Sequence, residues 1–228
     1  MNRILIFANG DLPDIEKARA LLRDDDYIIC ADGGTRHASS LNLKPDLVIG
    51  DMDSADSFLL QTLREDGVAI ELFPRDKNET DLELAINKAN ELAPKEIIIV
   101  AALGGRLDQT LANIALLGNP QYYEVSLRDG VRNTRLDDGT EQIFFCRDES
   151  TVKGRSGDIV SLIPWGEPVH GVQTENLKWQ LNNETLHPEK TRGISNEMTD
   201  DTATIKIQSG LLLIIHRRQQ SSIQNRKS

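Results

Sequence analysis

Two aspartates separated by one residue are the first indication of chemistry in this sequence. Asp51 and Asp53 follow Leu47–Gly50, a short apolar run that is typical of a buried strand. In an open α/β sheet, ligands bind beyond the carboxyl ends of the strands, so both carboxylates would lie at the mouth of a site. Carboxylates this close repel each other unless a cation or a proton lies between them. These hard oxygen ligands suggest Mg²⁺ that carries phosphates, whereas the alternative is a loop in which Asp53 or Ser54 caps the next helix.

Three further acidic or glycine-rich segments follow other predicted strands. They are residues 32–34, residues 76–81 and residues 104–109. Each of them alone can be explained as a turn or a helix cap. All four segments nevertheless share one edge of the predicted sheet, which is the edge where ligands dock, and turn chemistry does not explain that coincidence.

The residue types in these segments suit phosphate groups and a divalent metal. The pairs Gly33-Gly34 and Gly104-Gly105 allow a backbone to approach a ligand closely, and amides at the following helix starts can contact phosphate oxygens. Arg106 adds a planar cation that suits phosphate, and the surplus carboxylates require a metal that bridges to those phosphates. The sequence contains neither GxxxxGK[ST] nor GxGxxG, which disfavours a P-loop kinase and a nicotinamide enzyme.

The elements that must position these segments alternate between strands and helices up to about residue 120. Strands are predicted at residues 4–8, 27–31, 47–50, 68–73 and 96–102, and helices at residues 15–23, 35–41, 56–65, 81–92 and 108–117. Thr80 begins a capping box, and the last helix is predicted to bury Leu111, Ile114 and Ala115. This alternation predicts an α/β N-terminal domain at residues 1–120 with a mainly parallel, doubly wound sheet.

The second half has a different pattern, in which short β-type runs are separated by turn residues. These runs are residues 124–127, 142–146, 158–163, 169–174, 202–208 and 211–216. The last two are predicted to form one hairpin around Ser209-Gly210. We therefore expect an all-β C-terminal sandwich or barrel domain at residues 121–218, followed by a polar, disordered tail at residues 219–228.

Charge, hydropathy and cysteine content exclude several classes of protein. The chain has 26 basic and 36 acidic residues and a net charge of −10, whereas nucleic-acid binding needs a basic face. No apolar run is long enough to span a membrane or to form a signal peptide. Cys30 and Cys146 lie in or beside apolar stretches and are predicted to be buried thiols. We expect a cytoplasmic protein with no nucleic-acid and no membrane partner.

Taken together, the four strand-end segments resemble those of the thiamin pyrophosphokinase family. That family's pattern includes an ADGG turn, a GDxDS loop, a DxxxTD helix start and a GGRxDQ turn, and the chain carries them at residues 31–34, 50–54, 76–81 and 104–109. The second half adds the family's thiamin-side segments, LKWQL at residues 177–181 and GISNE at residues 193–197. The resemblance covers residues 30–197, with one departure at Lys77, where some relatives carry glutamine.

The resemblance implies transfer of an intact diphosphate from ATP to the hydroxyl of thiamin, giving thiamin diphosphate and AMP. It implies Mg²⁺ as the cofactor, ATP as the co-substrate, and a homodimer in which each thiamin site is shared between subunits. The implied metal ligands are Asp51, Asp53 and Asp81, which are also catalytic together with Asp108. The implied ATP and phosphate contacts are Asp32, Gly33, Gly34, Lys77, Thr80, Gly104, Gly105 and Arg106. The implied thiamin contacts are Asp108, Gln109, Trp179, Ser195 and Asn196.

Several alternatives remain open at the level of the sequence. Asp108 is the best candidate to polarise the hydroxyl of thiamin, but Asp51 or Asp53 could act as the base. Trp179 alone is typical of a core tryptophan, whereas the resemblance implies an aromatic face against thiamin's rings. The alternative functions are a hydroxymethylpterin pyrophosphokinase on the same fold and a non-catalytic sensor of a nucleotide or of thiamin diphosphate.

Overall fold

The structure is a computed structural model that describes residues 2–53, 56–122 and 133–219. The chain divides into two compact units, residues 1–139 and residues 140–228. The predicted strand at residues 124–127 and nearly all of the predicted disordered tail lie outside the described residues. Within the described ranges, none of the helices has the length and apolar character needed to cross a membrane.

The first unit is a parallel sheet with helices on both faces. Its strands are β1 (Arg3–Phe7), β2 (Tyr27–Ala31), β3 (Leu47–Gly50), β4 (Ala69–Leu72), β5 (Glu96–Val100) and β6 (Asn133–Asp137). Its helices are α1 (Ile15–Arg19), α2 (Thr35–Ser40), α3 (Ser57–Glu65), α4 (Asp81–Glu91) and α5 (Leu107–Leu117), with a 3₁₀ turn at Asp32–Gly34. The strand order is β6-β5-β1-β2-β3-β4, and every neighbouring pair is parallel. The predicted doubly wound sheet is confirmed.

The order of the strands creates a switch point beside β1. The chain builds outward from β1 through β2 and β3 to β4, and then returns through α4 to β5 on the other side of β1. Side chains of Leu5, Phe7 and Cys30 pack on one face of the sheet with α1, α2 and α3, while α4 contacts β1, β2 and β3 on the opposite face. The crevice of such a sheet opens between β1 and β5, at the carboxyl ends of both strands.

Strand β6 extends the first unit beyond the boundary near residue 120 that the sequence suggested. It pairs in parallel with β5 over residues 133–136. Arg135 forms an ion pair with Glu96 at 2.6 Å, and Asp137 accepts a hydrogen bond from the Gly139 N–H. Most residues of β6 are polar, and Arg135 and Asp137 have specific partners for their side chains. The strand therefore lacks the apolar run that predicts the other strands.

Helix α5 buries a different face from the one predicted. Leu111 is 50 % exposed and Ala115 is also exposed, whereas Ile114 is buried as predicted. The other buried residue is Asn113, whose side-chain amide donates a hydrogen bond to the Ala102 carbonyl at 2.7 Å. This polar contact with the segment after β5 orients the helix, and hydrophobic spacing alone does not reveal it.

The second unit is a sandwich of two four-stranded antiparallel sheets. Its strands are β7 (Glu141–Cys146), β8 (Glu149–Lys153), β9 (Ile159–Pro164), β10 (Val169–Glu175), β11 (Glu184–Leu186), β12 (Asn196–Glu197), β13 (Thr202–Lys206) and β14 (Leu212–Arg217). One sheet has the order β12-β9-β14-β7 and the other the order β11-β10-β13-β8. Both contribute apolar side chains to one core, which includes Leu162, Ile205 and Ile214. The predicted all-β domain is confirmed.

The predicted hairpin around Ser209-Gly210 is wrong. Strand β13 pairs with β8 and β10, whereas β14 pairs with β7 and β9. The two strands therefore lie in different sheets, and Gly210, with φ of +105°, lies in the segment that carries the chain from one to the other. Alternating apolar residues identify the strands but do not distinguish a hairpin from such a connection.

A buried carboxylate joins three segments of the second unit. Asp158 accepts hydrogen bonds from the backbone N–H groups of Arg155 (3.0 Å) and Gln219 (2.8 Å), and its Oδ2 atom lies 2.9 Å from Nε2 of the fully buried His216. Burial would raise the pKa of Asp158, but these hydrogen bonds outweigh it and lower the pKa below its ordinary value of 3.8. The ionised carboxylate therefore stabilises the folded unit.

We predict that Asp158→Asn lowers the free energy of unfolding by about 1–3 kcal/mol at pH 7, because buried N–H groups lose an ionised acceptor. Since the folded pKa lies below the ordinary value, this contribution is present above pH 3.8 and is lost as the pH falls through the folded pKa. Urea denaturation of both proteins at several pH values measures the difference. The exposed Asp200→Asn is the control, and a difference that stayed constant down to the lowest pH would contradict the prediction.

Candidate active site

A cavity of about 490 Å³ lies at the carboxyl edge of the parallel sheet. Its walls come from the segments after β1, β2, β3 and β5 and from the start of α4, so it occupies the switch point between β1 and β5. Nine of the predicted site residues line it: Asp32, Asp53, Lys77, Thr80, Asp81, Gly104, Gly105, Arg106 and Gln109. The four others in this unit, Gly33, Gly34, Asp51 and Asp108, belong to the same segments without lining the cavity.

Three carboxylates beside this cavity are close enough to hold one metal ion. Asp32, Asp51 and Asp53 each offer an oxygen, and the three oxygens lie within 4.8 Å of one another. The family resemblance implies instead that Asp51 and Asp53 bind the metal together with Asp81. Asp32 joins the group because β2 ends next to β3, which places its buried side chain beside the loop that carries the other two.

Lys77 lies between Asp51 and Asp81. Its ammonium is 3.0 Å from Oδ1 of Asp81 and 3.7 Å from Oδ2 of Asp51, and its side chain is 11 % exposed. Burial alone would lower the pKa of Lys77, but the two carboxylates raise it overall. The pKa of Asp51 is lowered, first by a hydrogen bond from the Asp53 N–H at 3.1 Å and also by the charge of Lys77. Both groups are therefore charged at neutral pH.

Three turns at the edge of the sheet have unusual backbone conformations. Asp32, Met52 and Ala101 follow β2, β3 and β5, and their φ angles are +44°, +62° and +55°. A non-glycine residue in the left-handed region costs about 1–3 kcal/mol, and such residues cluster at functional sites. Three of the five non-glycine residues with positive φ in the described part of the first unit therefore lie at this edge, the other two being Asn42 and Ala93.

Helices α4 and α5 both carry residues that line the cavity in their first turn. Thr80 caps α4, with its hydroxyl oxygen accepting a hydrogen bond from the Glu83 N–H at 3.2 Å, as the capping box predicts. Helix α5 begins at Leu107, directly after the lining residue Arg106. The positive ends of both helix dipoles therefore favour an anion in the cavity.

Arg106 and Asp108 contact each other. The guanidinium donates two hydrogen bonds to the carboxylate, at 3.1 and 2.6 Å, and the Gln109 N–H donates a third at 2.9 Å. The pairing raises the pKa of Arg106 and lowers that of Asp108. Because both side chains are largely exposed, the ion pair contributes little to stability and can be exchanged for contacts with a ligand.

Sequence reasoning missed the segment after β1, which also lines the cavity. The Gly10 N–H donates to the Ala101 carbonyl at 2.7 Å, and the Asp11 N–H donates to the Leu103 carbonyl at 2.8 Å. The Asp11 carboxylate also accepts a hydrogen bond from the Gly105 N–H at 3.0 Å. Asn9-Gly10-Asp11 stands at a strand end, like the four recognised segments, and that position was the available signal.

The glycine pairs are needed mainly because the protein packs closely on itself. A Cβ on Gly33 would overlap the side chain of Asn9, one on Gly34 would overlap the Phe7 carbonyl, and one on Gly104 would overlap the Asp11 carboxylate. Gly105 differs, since a Cβ there would meet nothing within 4 Å among the described residues, although its φ is +65°. We expected a ligand to approach these glycines closely, but the atoms nearest to Gly33, Gly34 and Gly104 belong to the end of β1 and the segment after it.

The remaining predicted residues lie in the second unit, around an exposed tryptophan. Trp179 is 51 % exposed, which excludes the alternative of a core tryptophan, and the Lys178 ammonium lies 5.0 Å from its ring centroid. Asn196 is 3 % exposed: its Oδ1 accepts from the Trp179 N–H at 3.0 Å, and its Nδ2 donates to the Trp179 carbonyl at 2.7 Å. Ser195 is exposed.

We predict that Asp11 positions the glycine loop through its hydrogen bond to Gly105. Asp11→Ala should increase amide hydrogen exchange at residues 103–107 about tenfold, because the loop loses a charge-assisted hydrogen bond. Asp11→Asn keeps an acceptor oxygen and should retain most of the protection, while the exposed Asp25→Ala should change nothing there. Equal loss of protection in Asp11→Asn and Asp11→Ala would show instead that the negative charge is what holds the loop.

Two models of one protein family match this sequence. The model described as the catalytic domain of thiamin pyrophosphokinase matches residues 18–127, and the model described as the vitamin B1 binding domain of thiamin pyrophosphokinase matches residues 148–212. The first range contains four of the five segments that surround the cavity; the segment after β1 lies outside it. The second range contains Trp179, Ser195 and Asn196.

Similar proteins and structures agree with these matches. Thiamine pyrophosphokinase of Bacillus subtilis (strain 168) is 27 % identical over 215 residues, which cover 94 % of this chain and 98 % of the relative. Thiamine pyrophosphokinase 1 of Oryza sativa subsp. japonica is 26 % identical, with 83 % of this chain and 78 % of the relative covered.

The crystal structure of the B. subtilis enzyme aligns with a TM-score of 0.82 at 27 % identity, covering 96 % of this chain and all of that one. The structure of a thiamin pyrophosphokinase family protein from Enterococcus faecalis aligns with a TM-score of 0.78 at 26 % identity, with the same coverage. Together the two family models match more than half of the chain, in the order in which its two units occur. The chain therefore belongs to the thiamin pyrophosphokinase family.

Proposed function

We propose that this protein is a thiamin diphosphokinase, which transfers a diphosphate group from ATP to the hydroxyl of thiamin and releases AMP. The observation that carries the proposal is the convergence of Asp32, Asp51, Asp53 and Lys77 at a cavity that also faces the starts of α4 and α5. Carboxylates for a metal, a cation for phosphates and two helix N-termini are what phosphoryl transfer needs, since its catalysis rests on positioning and charge neutralisation. Family membership supports ATP and thiamin as the substrates.

The proposal includes Mg²⁺ at the carboxylates. Three clustered carboxylate oxygens are the hard ligands that Mg²⁺ prefers, and when bound the ion would neutralise charge on the phosphates. Asp51 and Asp53 are common to the predicted ligand set and to the cluster in the structure. Asp32 completes that cluster, and Asp81 can serve as a ligand once Lys77 leaves it.

The proposed reaction is an in-line displacement at the β-phosphorus of ATP. The hydroxyl oxygen of thiamin forms a bond to this phosphorus, the bond from the phosphorus to the oxygen shared with the α-phosphate breaks, and AMP leaves. Arg106 turns from Asp108 to the transferred phosphates, which makes the Asp108 carboxylate available to orient the thiamin hydroxyl and accept its proton. The Gly104 amide and the amides at the start of α4 contact phosphate oxygens, while the Gly105 amide stays bonded to Asp11 and its backbone lines the cavity beside them.

On the thiamin side, we propose that the exposed ring of Trp179 stacks on thiamin and that Ser195 donates a hydrogen bond to it. A cationic thiazolium would gain from the π face of an indole. The proposal also includes a homodimer, in which Trp179 and Ser195 of one subunit serve Asp108 of the partner subunit, and a cytoplasmic location.

Incubation of the purified protein with ATP, Mg²⁺ and thiamin tests the proposed function. We expect AMP and thiamin diphosphate in equal amounts, separated and quantified by chromatography. Formation of ADP would indicate a simple kinase, and turnover with a hydroxymethylpterin but not with thiamin would indicate the other acceptor. Ligand binding without turnover would indicate a sensor.

Two variants test the proposed roles of Asp51 and Asp81 at the metal. Asp51→Asn and Asp81→Asn should each lower kcat/KM at least 100-fold while the free energy of unfolding changes little, because each removes charge that neutralises the metal and the lysine. The exposed Asp25→Asn, far from the cavity-lining segments, should retain activity. Full activity in both site variants would overturn the assignment.

We further predict that Asn196 acts on thiamin through Trp179. Because both ends of its side-chain amide bond the Trp179 backbone, Asn196→Ala should raise the KM for thiamin about tenfold and leave the KM for ATP unchanged. The double variant Asn196→Ala/Trp179→Ala should then be no worse than Trp179→Ala alone, because the two residues act as one unit. The exposed Asn182→Ala is the control. Additive effects in the double variant would mean that Asn196 contacts thiamin itself.

A further inference from the structure

We propose that Lys77 is a resident counter-cation, which opposes binding of a divalent metal to Asp51 and Asp81 until a nucleotide provides phosphates for its ammonium. The inference rests on the proposed function and adds an order of events to it: the metal and the nucleotide bind cooperatively, and Lys77 is the residue that couples them.

The Lys77 ammonium forms ion pairs with two of the carboxylates that are predicted to bind the metal. Lys77 Nζ lies 3.0 Å from Asp81 Oδ1 and 3.7 Å from Asp51 Oδ2, and all three side chains are less than one-quarter exposed. Lys77 precedes Asp81, the first residue of α4, by four residues, so the closer pair joins the loop before this helix to its first residue. Two carboxylates that would otherwise repel each other are thus held in place without a metal.

The same contacts make Lys77 a competitor of the metal. A carboxylate oxygen that is ion-paired with an ammonium is less available to a metal ion, and a positive charge a few ångströms away repels a divalent ion strongly at a site that is partly shielded from water. The competition falls on Asp51 and Asp81, because these are the two carboxylates that lie within ion-pair distance of the Lys77 ammonium. Metal binding to the protein alone should therefore be weak.

A nucleotide relieves this competition. Lys77 lines the cavity together with Thr80 and Arg106, and its flexible four-carbon stem lets the ammonium exchange a carboxylate for a phosphate oxygen. Its departure from Asp51 and Asp81 restores two oxygen ligands at the moment when phosphates for the metal arrive. By linkage, bound metal must then favour the nucleotide by the same factor.

Titration with Mn²⁺ in the absence of nucleotide and thiamin tests the proposal, with free Mn²⁺ measured by electron paramagnetic resonance. Lys77→Gln should bind Mn²⁺ at least tenfold more tightly than the unsubstituted protein. Lys77→Met provides a second neutral variant, and Lys77→Arg keeps the charge and should bind as weakly as the unsubstituted protein. Lys88→Gln, which removes a lysine paired with Glu71 and Glu91 outside the cavity, is the matched control.

A second titration includes a non-hydrolysable ATP analogue. The analogue should raise the Mn²⁺ affinity of the unsubstituted protein at least tenfold more than it raises that of Lys77→Gln. Equal or weaker Mn²⁺ binding by both neutral variants, absence of measurable binding in every variant, or an equal gain from the analogue would overturn the proposal. Because these titrations involve neither thiamin nor turnover, their failure is distinct from a failure to form AMP and thiamin diphosphate.

Discussion

Electrostatic crowding at the carboxyl edge of the parallel sheet is the constraint on which the first unit depends. The register of β2 and β3 brings carboxylate oxygens of Asp32, Asp51 and Asp53 within 4.8 Å of one another, and the first residue of α4 adds Asp81. Carboxylates this close are tolerated only when cations, hydrogen-bond donors or helix dipoles compensate them. The elements around the cavity supply these compensations: a lysine from the loop before α4, an N–H within the aspartate loop, and the starts of two helices.

Much of this arrangement could be predicted because it follows from local patterns. Apolar runs located β1 to β5, and their common parallel direction placed four chemically unusual segments at one edge. The features that were missed depend on contacts between distant residues. Asp32 joins Asp51 and Asp53 through strand pairing and a left-handed turn, β6 is hidden by polar side chains with specific partners, and Asn113 sets the rotation of α5. Residue spacing carries no information on such contacts.

The second unit shows the same division between pattern and contact. Its sandwich was predictable from short apolar runs, but the sheet to which each strand belongs was not, as the separation of β13 from β14 shows. A sequence motif also does not distinguish a residue that contacts the ligand from a residue that positions the contacting one. Trp179 and Asn196 belong to one recognisable pattern, yet the tryptophan ring is exposed while the asparagine is buried against its backbone.

The mutual pairing of Arg106 with Asp108 has a consequence for how the protein responds to salt. Like Lys77, Arg106 is already neutralised by a carboxylate before any substrate arrives. A highly charged nucleotide that enters the cavity exchanges one set of ion pairs for another, rather than meeting bare positive charges. Ionic strength weakens the original pairs as well as the new ones, so nucleotide affinity should vary less with salt concentration than the number of cations in the cavity would suggest.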